Sequence, residues 1–255
     1  MLLIRNIFFV LLQIVTVIPT AIIMLALFWA PRKWLYWWAR AWLQINIYGM
    51  RFLCGIRWEV QGQSNLPDEP VILLSKHQST WETFFYPVFM PRELCFVFKR
   101  ELLYIPFFGW GIGRLNMIHI NRSKRADAFE QVVTQGAAKL AQGRWIIMFP
   151  EGTRIPVGSQ GQYKLGGAKL ASRTDAKIVP IAHNAGELWP KKTLIKKPGL
   201  VTVSIGPPID PKGKRPDELI KEVESWIESE MRRISPHSYA ATGADARSSR
   251  ASTPP

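Results

Sequence analysis

The chain has 255 residues, of which 47% are hydrophobic and only 20% charged, so it can bury one sizeable core with appendages. Its formal net charge of +14 calls for a polyanionic partner: nucleic acid, an anionic membrane or a phosphorylated substrate. The two cysteines, Cys54 and Cys95, are too few for a disulfide framework and lack the spacing of a metal site, which indicates a reducing environment.

The first segment contains an uncharged apolar run from residue 7 to residue 30. As a helix it is long enough to cross the ~30 Å hydrocarbon core of a bilayer. A signal peptide is the competing interpretation, but its apolar core is usually about 7–15 residues long. Pro19, near the midpoint, leaves two geometries open: a kinked single span, or two half-length helices that enter and leave by the same face. Either geometry predicts membrane insertion.

Residues 32–53 are predicted to form an amphipathic helix. At 100° per residue its polar residues and its aromatic and apolar residues fall on different arcs, the first being Lys33, Arg40, Gln44 and Arg51 and the second Trp34, Trp38, Trp42, Ile45 and Phe52. This pattern is typical of a helix in the headgroup plane of an anionic membrane. The alternative is a soluble helix that packs its tryptophans into the core. Because these cations accompany a membrane segment, nucleic-acid binding is disfavoured.

After Gly55 short apolar strands alternate with turns and helical stretches, which predicts an α/β fold with a mostly parallel central sheet flanked by helices. The predicted strands are Trp58–Gln61, Val71–Ser75, Cys95–Phe98, Met117–Ile120, Trp145–Phe149, Ile178–Ala182 and Leu200–Ile205. Helices are expected over Lys124–Ala141 and from Pro216 to Arg233. We therefore expect a membrane anchor over residues 1–55, a catalytic domain over 56–234 and, because apolar residues are few there, a disordered tail over 235–255.

The stretch KHQSTWE, residues 76–82, lies where a predicted strand meets a predicted helix. His77 can take a proton from a hydroxyl group if a carboxylate such as Glu82 fixes its tautomer. Ser79 and Glu82 also have the spacing of a capping box, in which a serine and a glutamate satisfy the free N–H groups of a helix start. The two roles compete for one carboxylate, and this stretch alone leaves both open.

Two further clusters place polar groups at the ends of predicted strands, where α/β sheets bind ligands. One is residues 149–154, and the other is residues 99–122, in which Arg122 follows the strand Met117–Ile120. In the block FPEGTR, residues 149–154, glycine permits close backbone approach, threonine offers a hydroxyl, and arginine has the fork geometry that suits phosphate. An ordinary turn with surface cations is the alternative for each cluster. The candidate phosphate ligands are Arg122, Gly152, Thr153, Arg154 and Lys164.

Together these blocks resemble the glycerolipid acyltransferase family, in particular 1-acyl-glycerol-3-phosphate acyltransferases. The family motifs appear in order as His77 to Glu82, Lys99-Arg100-Glu101-Leu102 with Pro106, Gly109 and Arg122, Phe149–Arg154, and Val179-Pro180-Ile181. The resemblance covers about residues 58–206. In two positions the sequence departs from the family: Glu82 stands where aspartate is usual, and Lys76 where asparagine is common.

The resemblance implies transfer of an acyl group from coenzyme A or acyl carrier protein to the free hydroxyl of a lysophospholipid, with no metal and no cofactor besides this co-substrate. His77 is then the general base and Glu82 its orienting group. Arg122, Gly152, Thr153, Arg154 and Lys164 would bind phosphate or the thioester carrier, and Glu151, in the same set, would organise the loop. His119 and His183 are expected to be structural.

We therefore expect an enzyme that makes phosphatidic acid from lysophosphatidic acid at the cytoplasmic face of the inner membrane. Another lysolipid acceptor, such as an amino-acid-containing lipid, is one alternative. A membrane lipid-binding protein that keeps the fold without catalysis is another. A serine hydrolase would need a G-x-S-x-G elbow, which the sequence lacks. The oligomeric state stays open.

Overall fold

A seven-stranded sheet forms the centre of the computed structural model, which describes residues 1–27, 29–105, 108–120 and 125–239. Its strands are β1 Ile56–Gln61, β2 Ile72–Ser75, β3 Leu94–Lys99, β4 Ile118–Ile120, β5 Trp145–Met148, β6 Ile178–His183 and β7 Gly199–Ile205. Their order is β1-β7-β6-β2-β5-β3-β4, and every neighbouring pair is parallel except β6 with β7. The predicted α/β fold with a mostly parallel sheet is confirmed.

Helices connect and cover the strands. They are α1 Leu2–Ala26, α2 Arg32–Gly49, α3 Trp81–Phe89, α4 Phe108–Arg114, α5 Arg125–Ala141, α6 Gly166–Thr174, α7 Ala185–Leu188, α8 Pro216–Ile234 and α9 Pro236–Tyr239, with a π-turn over Met50–Cys54 and 3-10 turns over Gln63–Asn65 and Arg100–Tyr104. The two predicted soluble helices, α5 and α8, begin and end within one residue of the expected positions.

The core consists of two apolar layers because successive side chains of a strand point to opposite faces of the sheet. In β2, Ile72 and Leu74 pack with α5, α6 and α8, whereas Leu73 packs with α1, α2 and α3 on the other face. All three side chains are fully buried. Strands that are apolar on both sides are therefore explained by helices on both sides.

The first two helices form an antiparallel hairpin. At one end the Nε of Arg5 donates to the carbonyl of Leu53, and further along the Nε1 of Trp42 donates to Thr16 Oγ1 at 3.0 Å. Helix α1 continues through Pro19 without a break, so two half-length helices within residues 7–30 are not formed. By length and composition, Leu2–Ala26 is the one helix among the described residues that can cross a membrane.

Three of the four tryptophans of α2 face away from the core, whereas Trp42 is half-buried between Thr16 of α1 and Phe84 of α3. Trp34 is 74% exposed, and Trp37 and Trp38 are also exposed, whereas Leu35, Tyr36 and Ile47 provide the buried face. The alternative of a soluble helix that buries its tryptophan stripe is therefore wrong. One predicted headgroup cation is used inside the protein: Arg40 donates to the carbonyls of Pro87 and Val88 at the end of α3.

The predicted boundary of the tail is wrong by several residues. Residues 236–239 form α9, and Tyr239 is buried; its hydroxyl accepts a hydrogen bond from the Gln78 Nε2 at 2.7 Å. Few apolar residues follow Ser235, but one buried aromatic ring is enough to hold this short segment against the domain. The rest of the predicted tail, residues 240–255, lies outside the described residues.

Candidate active site

Three neighbouring strands end at the same edge of the sheet and carry the polar residues that the sequence singles out. β2 lies between β6 and β5, and all three are parallel. Their carboxyl ends lead directly to residues 76–82, to residues 149–154 and to His183. Open α/β sheets bind ligands at this edge.

His77 and Glu82 are in direct contact. The His77 Nδ1 lies 2.8 Å from the Glu82 Oε1, and the imidazole stacks on the ring of Phe149 with 3.9 Å between centroids. The His77 side chain is 15% exposed, whereas that of Glu82 is fully buried. Because an ionised carboxylate only accepts hydrogen bonds, Nδ1 carries the proton, which leaves the Nε2 lone pair as the basic site.

Glu82 combines the two roles that the sequence set against each other. Its Oε1 also accepts from the backbone N–H of Gln78 at 3.1 Å and of Ser79 at 2.9 Å. The Ser79 hydroxyl accepts from the N–H of Trp81, so the serine satisfies the first free N–H of α3 beside the dyad. The expectation that capping and orienting His77 exclude each other is wrong, since one oxygen receives donors from both.

Glu82 is held as a carboxylate. Burial would raise its pKa, but the positive charge that His183 carries when protonated in acid, the hydrogen bond from His77 and the backbone donor of Ser79 outweigh this and lower the pKa below its usual value. An ionised Glu82 stabilises a positive charge on the His77 ring.

A buried ion cluster lies directly behind the dyad. The Lys76 Nζ is 2.7 Å from Glu151 Oε1 and 2.8 Å from Glu228 Oε1 on α8. The other oxygen of Glu151 accepts from the backbone N–H of His77 at 2.9 Å, and Tyr163 donates to Glu228. Both Glu151 oxygens are thus occupied inside the protein, so Glu151 organises the loop and does not face a ligand.

Charge balance in this cluster centres on Lys76. Burial alone would lower its pKa, but the charges and hydrogen bonds of Glu151 and Glu228 raise the pKa above its usual value. The lysine is therefore protonated, and it links β2, the loop after β5 and α8 through one ammonium group.

The loop after β5 presents its second half outward. Gly152 has φ of +67°, in the left-handed region that favours glycine, and a Cβ there would lie 2.8 Å from the Lys164 Nζ. Thr153 is exposed, and the Arg154 Nη1 donates to Thr80 Oγ1 at 2.8 Å. The four predicted ligands at 152, 153, 154 and 164 are therefore brought together next to the start of α3.

Both ring nitrogens of His183 form hydrogen bonds within the protein. Its Nε2 donates to the Lys76 carbonyl at 2.9 Å, and its Nδ1 accepts from the Ala185 N–H. Burial lowers the pKa of this imidazole, so it is neutral. The ring thereby fixes the backbone one residue before His77.

The sequence also singles out Arg122, Pro106 and His119. Arg122 and Pro106 lie outside the described residues. His119 is half-buried in β4, where its backbone exchanges hydrogen bonds with the Gln135 side chain. Among the described residues, no group of three or more histidine, cysteine, aspartate or glutamate side chains is placed to hold a metal ion.

Comparison with known proteins shows the family of this chain. The sequence profile described as Acyltransferase matches residues 57–184. The 1-acyl-sn-glycerol-3-phosphate acyltransferase of Pseudomonas aeruginosa is 46% identical over 198 residues, covering 76% of this chain and 77% of that protein. The chain belongs to the acyltransferase family.

More distant family members agree. The human 1-acyl-sn-glycerol-3-phosphate acyltransferase alpha is 30% identical over 179 residues, which is 69% of this chain and 63% of that protein. The crystal structure of the 1-acyl-sn-glycerophosphate (LPA) acyltransferase PlsC from Thermotoga maritima has a TM-score of 0.75 and 26% identity, covering 91% of this chain and 95% of that one. The acyltransferase fold thus extends over the N-terminal hairpin as well as the sheet.

Some residues of this acyltransferase site were not found from the sequence. Glu228 lies at the edge of the apolar stripe of α8, far along the chain from Lys76, so no local pattern pairs them. Lys191, whose Nζ donates to the Arg154 carbonyl at 3.0 Å, lies in a loop without a motif. The one usable signal is Lys76 itself, because a lysine directly after a buried strand needs an acidic partner.

Proposed function

We propose that this acyltransferase moves an acyl group from a thioester, on coenzyme A or acyl carrier protein, to the free hydroxyl of 1-acyl-glycerol-3-phosphate. The product is phosphatidic acid, an intermediate of phospholipid biosynthesis. The observation that carries the proposal is the 2.8 Å contact between His77 and an ionised Glu82 beside the loop of residues 149–154. The activities named for the Pseudomonas and human relatives support the choice of substrate.

His77 acts as the general base in this proposal. Its Nε2 takes the hydroxyl proton while the acceptor oxygen attacks the thioester carbonyl, and Glu82 stabilises the imidazolium that forms. The carbon–sulfur bond then breaks, and the imidazolium returns its proton to the leaving thiolate. Because a thioester is already activated, no covalent enzyme intermediate and no further cofactor are needed.

The outward half of the 149–154 loop binds the acceptor phosphate. Arg154 offers a planar pair of donors, Lys164 a point charge and Thr153 a hydroxyl, while the left-handed Gly152 allows the backbone to approach. Arg122 belongs to this set as a proposed ligand. Glu151 contributes by holding the loop against Lys76 and the His77 backbone.

The enzyme is proposed to reside on the cytoplasmic face of the inner membrane, held by the hairpin within one leaflet. Support comes from the exposed apolar side chains along α1, among them Ile7, Leu11 and Ile18, and from the exposed tryptophans of α2. Cysteines placed at Leu3 and Lys33 should both be shielded from a membrane-impermeant reagent outside the membrane. Labelling of position 3 alone from outside would instead indicate a single span.

The substrate proposal is tested with the purified full chain in mixed micelles. Lysophosphatidic acid, other lysophospholipids and a lyso form of an amino-acid lipid are each supplied with acyl-CoA or acyl carrier protein, and products are followed by mass spectrometry. We expect phosphatidic acid to form at least tenfold faster than any other product. Faster acylation of another acceptor would replace the substrate, and failure with every acceptor and donor would refute the enzymatic proposal.

A further inference from the structure

The segment from residue 190 to residue 198, PKKTLIKKP, forms a loop with an exposed apolar tip, referred to below as the 190–198 loop. Leu194 is 77% exposed and Ile195 is 40% exposed. The loop contains no acidic residue, and Lys191, Lys192 and Lys197 are exposed on either side of the tip. Two apolar side chains between cations are the composition of a membrane-surface contact.

The loop is held in shape from within. Lys197 N donates to the Leu188 carbonyl at 2.8 Å, and the Trp189 Nε1 donates to the Thr193 carbonyl at 3.1 Å. The buried Lys196 donates through Nζ to the Leu194 carbonyl at 2.8 Å. The backbone is therefore fixed while the side chains of Leu194 and Ile195 point outward, so their exposure is built into the loop.

The loop is joined directly to the first turns of α1. Lys196 N donates to the Asn6 Oδ1 at 2.8 Å, and the Asn6 Nδ2 donates to the Lys196 carbonyl at 3.1 Å. The Lys196 ammonium also lies 4.9 Å from the centroid of the Phe9 ring. Neighbouring α1 side chains that remain exposed are Leu3, Ile4, Ile7 and Phe8. The tip thus continues the apolar surface of the hairpin.

The same end of the molecule is basic. Arg5 and Arg51 are exposed near the open end of the hairpin, and residues 1–58 contain no acidic residue. Cations around an apolar surface match the phosphates around the hydrocarbon of an anionic bilayer. An acidic protein would satisfy the lysines but would leave Leu194 and its neighbours on α1 without an apolar partner.

We propose that the 190–198 loop inserts Leu194 and Ile195 into the headgroup region of an anionic bilayer, with its lysines against lipid phosphates. It is a third membrane contact beside α1 and α2, and it rests on the proposed residence at a membrane. Lys191 donates to the Arg154 carbonyl and so connects the 190–198 loop to residues 149–154, which hold the proposed phosphate ligands. The depth of the 190–198 loop in the membrane therefore sets the height of these ligands above the bilayer. The site then faces a lysolipid at headgroup level.

The test measures the depth of one side chain in the full chain reconstituted in vesicles. Leu194→Cys carries an environment-sensitive fluorophore, and vesicles contain phosphatidylcholine with or without phosphatidylglycerol and brominated lipid. Ile14→Cys, on the exposed side of α1, reports the anchor. Lys212→Cys reports the opposite edge of the sheet. Lys212 is exposed in the turn after Ile209, and Ile209 pairs with Ile178 at the start of β6. The native cysteines are both buried and free.

At position 194 we expect a blue-shifted spectrum and at least twofold quenching by brominated lipid in phosphatidylglycerol vesicles, as at position 14 and unlike position 212. Shielding at 14 with a water-like signal at 194 would overturn the loop proposal and leave the anchor standing. A water-like signal at both positions would overturn the loop proposal together with membrane residence. Shielding at 194 only after addition of acyl carrier protein would replace the bilayer with a protein partner.

A charge variant gives an independent check. Lys192→Gln combined with Lys197→Gln should weaken binding to phosphatidylglycerol vesicles several-fold and should not change the thermal midpoint or the rate in detergent micelles. Lys212→Gln, the matched control, should change none of these. Equal vesicle affinity for the two variants would contradict a role of the loop in binding anionic lipid.

Discussion

The carboxyl edge of the sheet and the outer face of the helical hairpin both depart from the usual pattern of apolar residues inside and charged residues outside. The edge buries charged side chains, and the hairpin exposes apolar ones. At the edge, Lys76, Glu82 and Glu151 are buried, and each carries several hydrogen bonds. On the hairpin, large apolar side chains such as Trp34 and Phe52 are exposed. Charges inside and tryptophans outside are both costly in water. The first cost is offset by partners within the protein, and the second calls for a partner outside it.

Removal of the imidazole should have the largest effect at the sheet edge. His77→Ala should reduce turnover by about 10²–10⁴-fold, because a positioned general base contributes roughly that factor. His237→Ala is the matched control, since this exposed histidine lies 3.1 Å from Glu187 but is not joined to Glu82. Initial rates with lysophosphatidic acid measure both variants. Turnover of His77→Ala within a few-fold of the unaltered enzyme would assign the base elsewhere.

The buried cluster should be far more sensitive than a surface pair. Lys76→Met leaves two buried carboxylates without their cation and should cost about 3–5 kcal/mol of unfolding free energy. Lys214→Met removes an exposed partner of Glu222 and should cost about 1 kcal/mol or less. Denaturant titration in detergent measures both, and Glu228→Gln gives a milder variant if Lys76→Met does not fold. Equal costs for the two lysines would contradict a closed buried cluster.

The double role of Glu82 can be separated by charge. Glu82→Gln retains an acceptor for the helix cap but removes the charge that supports an imidazolium, so turnover should fall by roughly 10²-fold. Ser79→Ala removes the hydroxyl that accepts from the Trp81 N–H and should cost about 1 kcal/mol of stability, with turnover changed only a few-fold. Unchanged turnover in Glu82→Gln with intact stability would reduce the glutamate to a cap.

Acid should act on the sheet edge through His183. Because burial lowers its pKa below 6.5, the unfolded chain binds this proton first, and stability falls as the pH drops below 6.5. One proton gives a slope of at most about 1.4 kcal/mol per pH unit. Glu82, with its own lowered pKa, adds a loss only below about pH 4.5. His183→Gln should flatten the slope between 6.5 and 4.5, and an unchanged slope there would refute the assignment.

The hairpin should show the smallest effect on folding. Trp34→Ser should change the unfolding free energy in detergent by about 0.5 kcal/mol or less, because the side chain is exposed. Its binding to vesicles should weaken measurably in a sedimentation assay. Trp145→Ser, at a fully buried tryptophan of β5, should instead destabilise by about 3–5 kcal/mol. A large loss of stability in Trp34→Ser would indicate that the stripe packs within the protein.

Local patterns were sufficient for the framework of the fold. The strands are short apolar runs bounded by turns, and α8 begins with proline and acids, so neighbouring residues alone define them. The contact between His77 and Glu82 was also predictable, because His77 lies in the short segment between β2 and α3 and Glu82 lies in the first turn of α3. The outward cluster at residues 152–154 followed from one contiguous block.

Contacts between distant segments were beyond the sequence. Glu228 meets Lys76 only because α8 packs across the sheet, and Tyr239 reaches Gln78 only because α9 folds back. Arg40 was predicted to face lipid, but its side chain donates to a carbonyl at the end of α3 because α2 and α3 pack together. In each case the contact depends on a segment far away in the sequence, and the residues next to the side chain do not indicate it.

The ion pair between Lys76 and Glu228 also affects the order in which parts of the chain fold during synthesis. The two residues are 152 positions apart, and synthesis proceeds from the hairpin towards α8. During synthesis the lysine therefore emerges long before its second carboxylate, and the loop behind His77 lacks that support until α8 docks. The hairpin, which is the proposed membrane anchor, is synthesised first, and the proposed catalytic edge of the sheet is completed last, when α8 docks.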